Sequence, residues 1–94
     1  MDRLELIVCA ANKFEVSGKV LVIPAVRHYS PDMHRVLNAI EELGASTAEI
    51  SQGFITNFGR YINRKEALEI AKANNLVRFT IGYETDELYS EMLY

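Results

Sequence analysis

Two short arginine-bearing segments hold the side chains best suited to chemistry in this sequence. In the first, Arg27-His28-Tyr29 stands immediately before Ser30-Pro31-Asp32, a strong helix start with a capping hydroxyl, a proline for the first turn and an acid at the positive end of the dipole. A guanidinium, an imidazole and a phenol meet there beside helix amides that favour anions. His34 and Arg35 add further cations or near-cations close by. In the second segment, Arg60 and Arg64 straddle the start of another helix. Arginine in a first helical turn opposes the dipole; a bound anion converts that cost into a gain, and forked donors grip phosphate in pairs. Phe58 and Tyr61 lie near enough to stack on a base. Each segment also has a plain structural reading: Arg27 and His28 as a solvated loop with Tyr29 over the core, Arg60 paired with a strand neighbour, and Arg64 in water.

Two further features complete the set. Gln52-Gly53-Phe54 puts a glycine inside a strand pattern, which signals a bulge or the close approach of another backbone or a ligand. Phe54 is then either core or a stacking surface. Tyr89-Ser90-Glu91 offers hydrogen bonds to ribose hydroxyls, or simply an ordered tail packed on a sheet.

The elements that must position these residues follow from periodicity. Residues 4–11 are apolar and partly β-branched, as in a buried strand. Asn12-Lys13 is turn-prone, and Ser17-Gly18 marks a hairpin turn into a second, antiparallel strand over 19–23, ended or edged by Pro24. Met33, Val36, Leu37 and Ile40 recur at helical spacing until Leu43-Gly44. A third strand over 49–56 and a turn at Asn57-Phe58-Gly59 lead into Arg60-Tyr61-Ile62, which pairs back. Asn63-Arg64-Lys65-Glu66 reads as a capping box for a second helix running to about Ala73, closed by Asn74-Asn75. Residues 77–83 predict a further strand. The order ββαβ(β)αβ gives an α+β fold: a small antiparallel or mixed sheet with two helices packed on one side.

Composition narrows the function classes. The 94 residues make a single domain, 1–94, with a thin core that cannot spare volume for a deep closed cavity. A substantial pocket is expected as a surface groove or a space between subunits. A net charge of −3 argues against duplex nucleic acid as a partner, although a local cation cluster on an acidic protein still suits a small anion. One cysteine and two histidines do not make a structural zinc site, and no phosphate loop or nucleophile elbow is present. No catalytic residue, metal or cofactor is therefore assigned. Cys9, in an apolar run, reads as an inert thiol. Neither a membrane span nor a leader pattern is evident, which predicts a cytoplasmic protein.

Taken in order, Gly18-Lys19, Arg27-His28, Gln52-Gly53-Phe54, Gly59-Arg60, Arg64-Lys65-Glu66-Ala67 and Leu88-Tyr89-Ser90-Glu91 resemble a phage family, the anti-Thoeris sponge proteins, the first described type of Thoeris anti-defence protein. The resemblance runs from residue 18 to the end of the sequence, although a Glu-Asp-Leu ending is more typical than Glu91-Met92-Leu93-Tyr94. It implies a protein of the infected bacterial cytoplasm that sequesters cyclic ADP-ribose isomers made by TIR-domain enzymes. It also implies cyclic oligonucleotides at a separate site, and assembly as a homo-oligomer, a dimer or hexamer. On that likeness Arg60 and Arg64 would hold the diphosphate, with Phe54, Phe58, Tyr89 and Ser90 around the nucleoside. Arg27 and His28 would form the second anion site. The competing expectations are a small protein-binding inhibitor or adaptor with no nucleotide ligand, and a nucleotide-cleaving enzyme using His28 or His34 as base without a partner carboxylate.

Overall fold

A computed structural model describes residues 4–78 and 87–93. The first hairpin joins β1 (Ile7–Val16) to β2 (Lys19–Ala25). Ser17 and Gly18 both have positive φ, 51° and 81°, the pair of left-handed residues that lets a two-residue turn match the twist of its strands. β1 is longer than the sequence suggests. Asn12-Lys13 does not turn; both residues pair on both sides, with β2 and with β3. Asn12 is tolerated in a central strand because its amide finds a carboxylate, Nδ2 donating to Glu49 at 2.9 Å.

Helix α1 (Pro31–Glu42) is followed by β3 (Thr47–Thr56), β4 (Tyr61–Asn63) and α2 (Arg64–Ala73), and a short 3-10 turn covers Ser90–Met92. The four strands form one antiparallel sheet in the order β2-β1-β3-β4, so the α+β expectation holds. Of the strand predicted over 77–83, Val77 and Arg78 are irregular and the rest lies outside the described residues.

Register puts both helices on one face of the sheet. Ala10 lies opposite Ala25 on one side and Phe54 on the other, and Phe54 lies opposite Ile62. Residues Ala10, Asn12, Phe14 and Val16 therefore share a face, because strand side chains alternate. α1 lays Met33 and Leu37 onto Phe14, Val16, Ile23 and Ala25. α2 lays Ala67, Leu68 and Ala71 onto Ala10, Phe54 and Ile62, joined by Leu88 and Met92 from the tail. Val36, expected in the apolar stripe of α1, is instead exposed. The two apolar clusters sit side by side, and Asn12 stands at the seam between Ala10 of one and Phe14 of the other.

The helix starts are built differently. Asn63 caps α2, its Oδ1 accepting from the Glu66 amide at 2.8 Å. The second half of the expected box does not form, because the Glu66 carboxylate accepts from Arg60 at 2.8 Å instead. Asn63→Ala is expected to lower stability by about 1 kcal/mol, read from urea or thermal unfolding. At α1, Ser30 occupies the cap position without a side-chain cap bond. Its hydroxyl bonds Arg27 O and the Asp32 carboxylate and accepts from the Arg27 amide at 3.1 Å. This locks the loop that carries Arg27, His28 and Tyr29, the last at a positive φ of 58°.

Candidate functional site

The start of α2 and the tail enclose a groove of about 510 Å³ lined by Gln52, Asn63, Arg64, Lys65, Glu87 and Tyr89. Arg64 is its central cation. One guanidinium nitrogen donates to Leu88 O at 2.7 Å and another to Gln52 Oε1 at 2.5 Å. The plane of charge lies over the Tyr89 ring, 4.7 Å from its centroid, an arrangement favourable to both groups. These partners are neutral, so among the described residues the charge of Arg64 is not balanced by a carboxylate.

Arg60 has the opposite surroundings. Its guanidinium takes both oxygens of Glu5, each at 2.7 Å, and Glu66 at 2.8 Å. Glu5 is held below the usual carboxylate range by this contact first and by the Thr56 hydroxyl second. The expected pairing of Arg60 with Arg64 on one diphosphate is therefore corrected: two carboxylates already satisfy Arg60, and it does not line the groove. Arg60 clasps the start of the chain to the β3–β4 turn.

The first arginine segment proves to adjoin the second. His28 Nε2 donates to Gly53 O at 2.8 Å, and its ring meets Phe54 edge-on with centroids 5.2 Å apart. Because a carbonyl only accepts, this bond places the ring proton on Nε2 and leaves Nδ1 an acceptor. Burial, followed by smaller contributions that include the nearby Arg64 charge, pushes the His28 pKa down. Arg27 reaches Glu91 of the tail at 4.0 Å. Gln52 and Gly53 thus link the groups that sequence spacing separates, with Arg64 bonded to Gln52 and His28 bonded to the next residue.

A depressed histidine pKa has a pH signature. Between the folded value and the unfolded value near 6.5, the unfolded chain binds more protons than the folded one, so stability falls as pH drops through that window. Urea midpoints measured from pH 7.5 to 5 are expected to show this decline. His28→Gln, which carries no titrating ring, is expected to flatten it.

Three other expected contacts change. Phe54 is wholly buried and packs in the α2 cluster; it is core, without a face for a ligand to stack on. Ser90 is also buried, so its hydroxyl is not presented to the groove. Phe58 sits half exposed in the β3–β4 turn and is absent from the groove lining. Tyr89 alone of these four lines it.

Sequence reasoning overlooked Glu49 and Asn12. Glu49 Oε1 accepts from Asn12 Nδ2 at 2.9 Å, the Tyr29 hydroxyl at 2.5 Å and Gln52 Nε2 at 3.0 Å. The Tyr29 hydrogen bond is the first cause of a lowered Glu49 pKa. Burial, then Glu49, raises Tyr29 to about 12. The available signal was a polar residue, Asn12, at a core-facing position of an otherwise apolar alternation.

Cys9 is half-buried with its thiol pKa raised by burial, as an unreactive side chain should be. Among the described residues no group of three or more acidic, histidine or cysteine side chains is arranged to hold a metal ion, and no helix is long and apolar enough to cross a membrane.

No curated protein and no solved structure matches the chain. The family model of the phage T4 y16D protein matches residues 6–94, a span that includes β1 to β4, α1, α2 and every residue of the groove. The chain belongs to the phage T4 y16D protein family.

Proposed function

We propose that this phage-family protein binds a small cyclic nucleotide signal of the cyclic ADP-ribose type and sequesters it without cleaving it. The observation that carries the reading is Arg64. A guanidinium held by neutral oxygens, stacked on Tyr89 and lining a groove at the start of α2, suits a phosphate, which would give Arg64 a charged partner, although Glu87 also lines the groove. Lys65 adds a second cation to the lining, and Tyr89 presents an aromatic ring. Sequestration needs tight binding in stoichiometric amounts rather than turnover; a nanomolar constant corresponds to about −12 kcal/mol. Such affinity calls for exclusion of water from an open groove, and a second copy of the chain in a homodimer or hexamer supplies that cover. Arg27 and His28, beside the same tail, are the place for a cyclic oligonucleotide.

The alternative is a protein-binding inhibitor with no nucleotide ligand. It draws on β2, which lies at one end of the strand order and exposes Val20 and Leu21, a feature that favours strand addition by a partner. One assay separates the readings. The protein is mixed with cyclic ADP-ribose isomers, freed of unbound ligand and heat-denatured, and the supernatant is analysed by mass spectrometry. Intact nucleotide at near-stoichiometric yield supports the sponge, altered nucleotide means an enzyme, and no retained nucleotide favours the inhibitor.

A further inference from the structure

Beside the cationic groove lies a cluster of acceptors around Glu49. All three donors that reach Glu49 converge on Oε1, from Asn12, Tyr29 and Gln52. Among the described residues, none reaches Oε2. Asn12, one of the three donors, is wholly buried, and among the described residues its Oδ1 has no hydrogen-bond partner. An empty buried acceptor is costly, and such groups are rare in a folded protein. The cluster has spent its donors on one oxygen and retains acceptors. What it lacks is a ligand that brings hydroxyl or amino hydrogens.

Position selects between them. Gln52 Oε1 accepts from Arg64 at 2.5 Å, and its Nε2 donates to Glu49 at 3.0 Å. A single primary amide therefore separates the cation from the carboxylate. That spacing is on the scale of a furanose, with an anion at one end and vicinal hydroxyls at the other. Glu49 is exposed to solvent, and the Tyr29 bond favours its charged, acceptor-only form.

We propose that Glu49 accepts the vicinal hydroxyls of a ribose whose phosphate rests on Arg64, with Asn12, Tyr29 and Gln52 as positioning residues that fix the carboxylate through its other oxygen. The inference rests on the nucleotide reading and makes it more specific: the site takes a ribosyl phosphate with free hydroxyls and rejects the deoxy sugar. Glu49→Gln tests this sharply, since the three donors require the amide oxygen at the Oε1 position and so turn the NH₂ toward the sugar.

The experiment is calorimetric titration of the protein and the Glu49→Gln variant with ADP and with 2′,3′-dideoxy-ADP, and of the protein with cyclic ADP-ribose. The native protein is expected to bind ADP at least tenfold more tightly than the dideoxy form, and the variant to bind the two within about twofold. A carboxylate with a purely structural role would weaken both ligands together and preserve their ratio, which overturns the proposal. Equal affinity of the native protein for ADP and the dideoxy form overturns it as well, whether or not the variant folds, and leaves the groove assignment standing. Binding of neither ADP nor cyclic ADP-ribose by the native protein overturns the nucleotide reading itself, and this inference with it.

Discussion

Arg64→Ala is expected to abolish capture of cyclic ADP-ribose, lowering affinity at least a hundredfold. Hydrogen bonds to charged groups contribute about 1.5–3 kcal/mol each, and losing two of them from a phosphate exceeds the roughly 2.8 kcal/mol that a hundredfold change represents. The same side chain holds Leu88 O and Gln52 Oε1, so the variant also loosens the tail and unfolds at a slightly lower temperature. Leu88 and Met92 keep the tail anchored in the α2 cluster, and the sheet does not depend on Arg64. Arg64→Lys separates charge from shape. A lysine keeps the positive charge but has no planar fork with which to hold Gln52, Leu88 and a phosphate together, so an intermediate affinity is expected. Arg60→Ala provides the contrast. Its guanidinium is already neutralised by Glu5 and Glu66, and its loss is expected to lower stability more than ligand affinity. Calorimetric titration beside thermal unfolding measures both quantities.

Gly53→Ala is expected to be the most damaging small substitution in the chain. A methyl group there would stand 2.1 Å from Ile62 O and 2.8 Å from the Tyr61 ring. The first contact is with the backbone of β4, paired with Gly53 through Asn63, and backbone cannot swing aside. The second ring is also fixed, since Tyr61 bonds the Ser51 hydroxyl at 2.7 Å and lies under the Lys13 ammonium at 4.7 Å. Overpacking usually costs about 1–3 kcal/mol; here the displaced strand also carries the start of α2, and a loss of about 3 kcal/mol or more is expected. For a chain this small, whose total stability is about 5–10 kcal/mol, the soluble yield should fall and the unfolding midpoint should drop sharply. Because Gly53 O also receives His28 Nε2, the pH dependence assigned to His28 should weaken in whatever fraction folds.

The sequence carried most of the architecture. Ser17-Gly18, Ser30-Pro31, Asn63 and Asn74-Asn75 mark chain reversals and helix ends by local chemistry, and local chemistry survives folding. Asn75 does adopt the left-handed conformation, with φ of 55°. Asn12 shows where such reasoning stops: its turn propensity is real, but a carboxylate on β3, far away in sequence, gives its amide a reason to stay in the strand. The site divides along the same line. Arg64 stood out because arginine in a first helical turn opposes the dipole, and the structure places it with Tyr89 in the groove lining. Arg60 stands before β4 and outside the helix, and its pairing with Glu5 depends on a contact spanning most of the chain. Phe54, as a stacking surface, and Ser90, as a hydrogen-bonding hydroxyl, were ligand-contact candidates by neighbourhood alone, and both are buried. Glu49 was invisible, because nothing in its local sequence announces that three donors will converge on one oxygen.

On the proposed function, the groove at the start of α2 receives the phosphates of a nucleotide. Isotope-labelled protein titrated with cyclic ADP-ribose and followed by two-dimensional NMR tests it most directly, because each backbone and arginine N–H reports separately. Saturable shifts are expected at the Arg64 side chain, the Gln52 and Lys65 amides and Tyr89, with Arg60 little affected. A spectrum that does not change, or shifts confined to the exposed edge of β2, would contradict it.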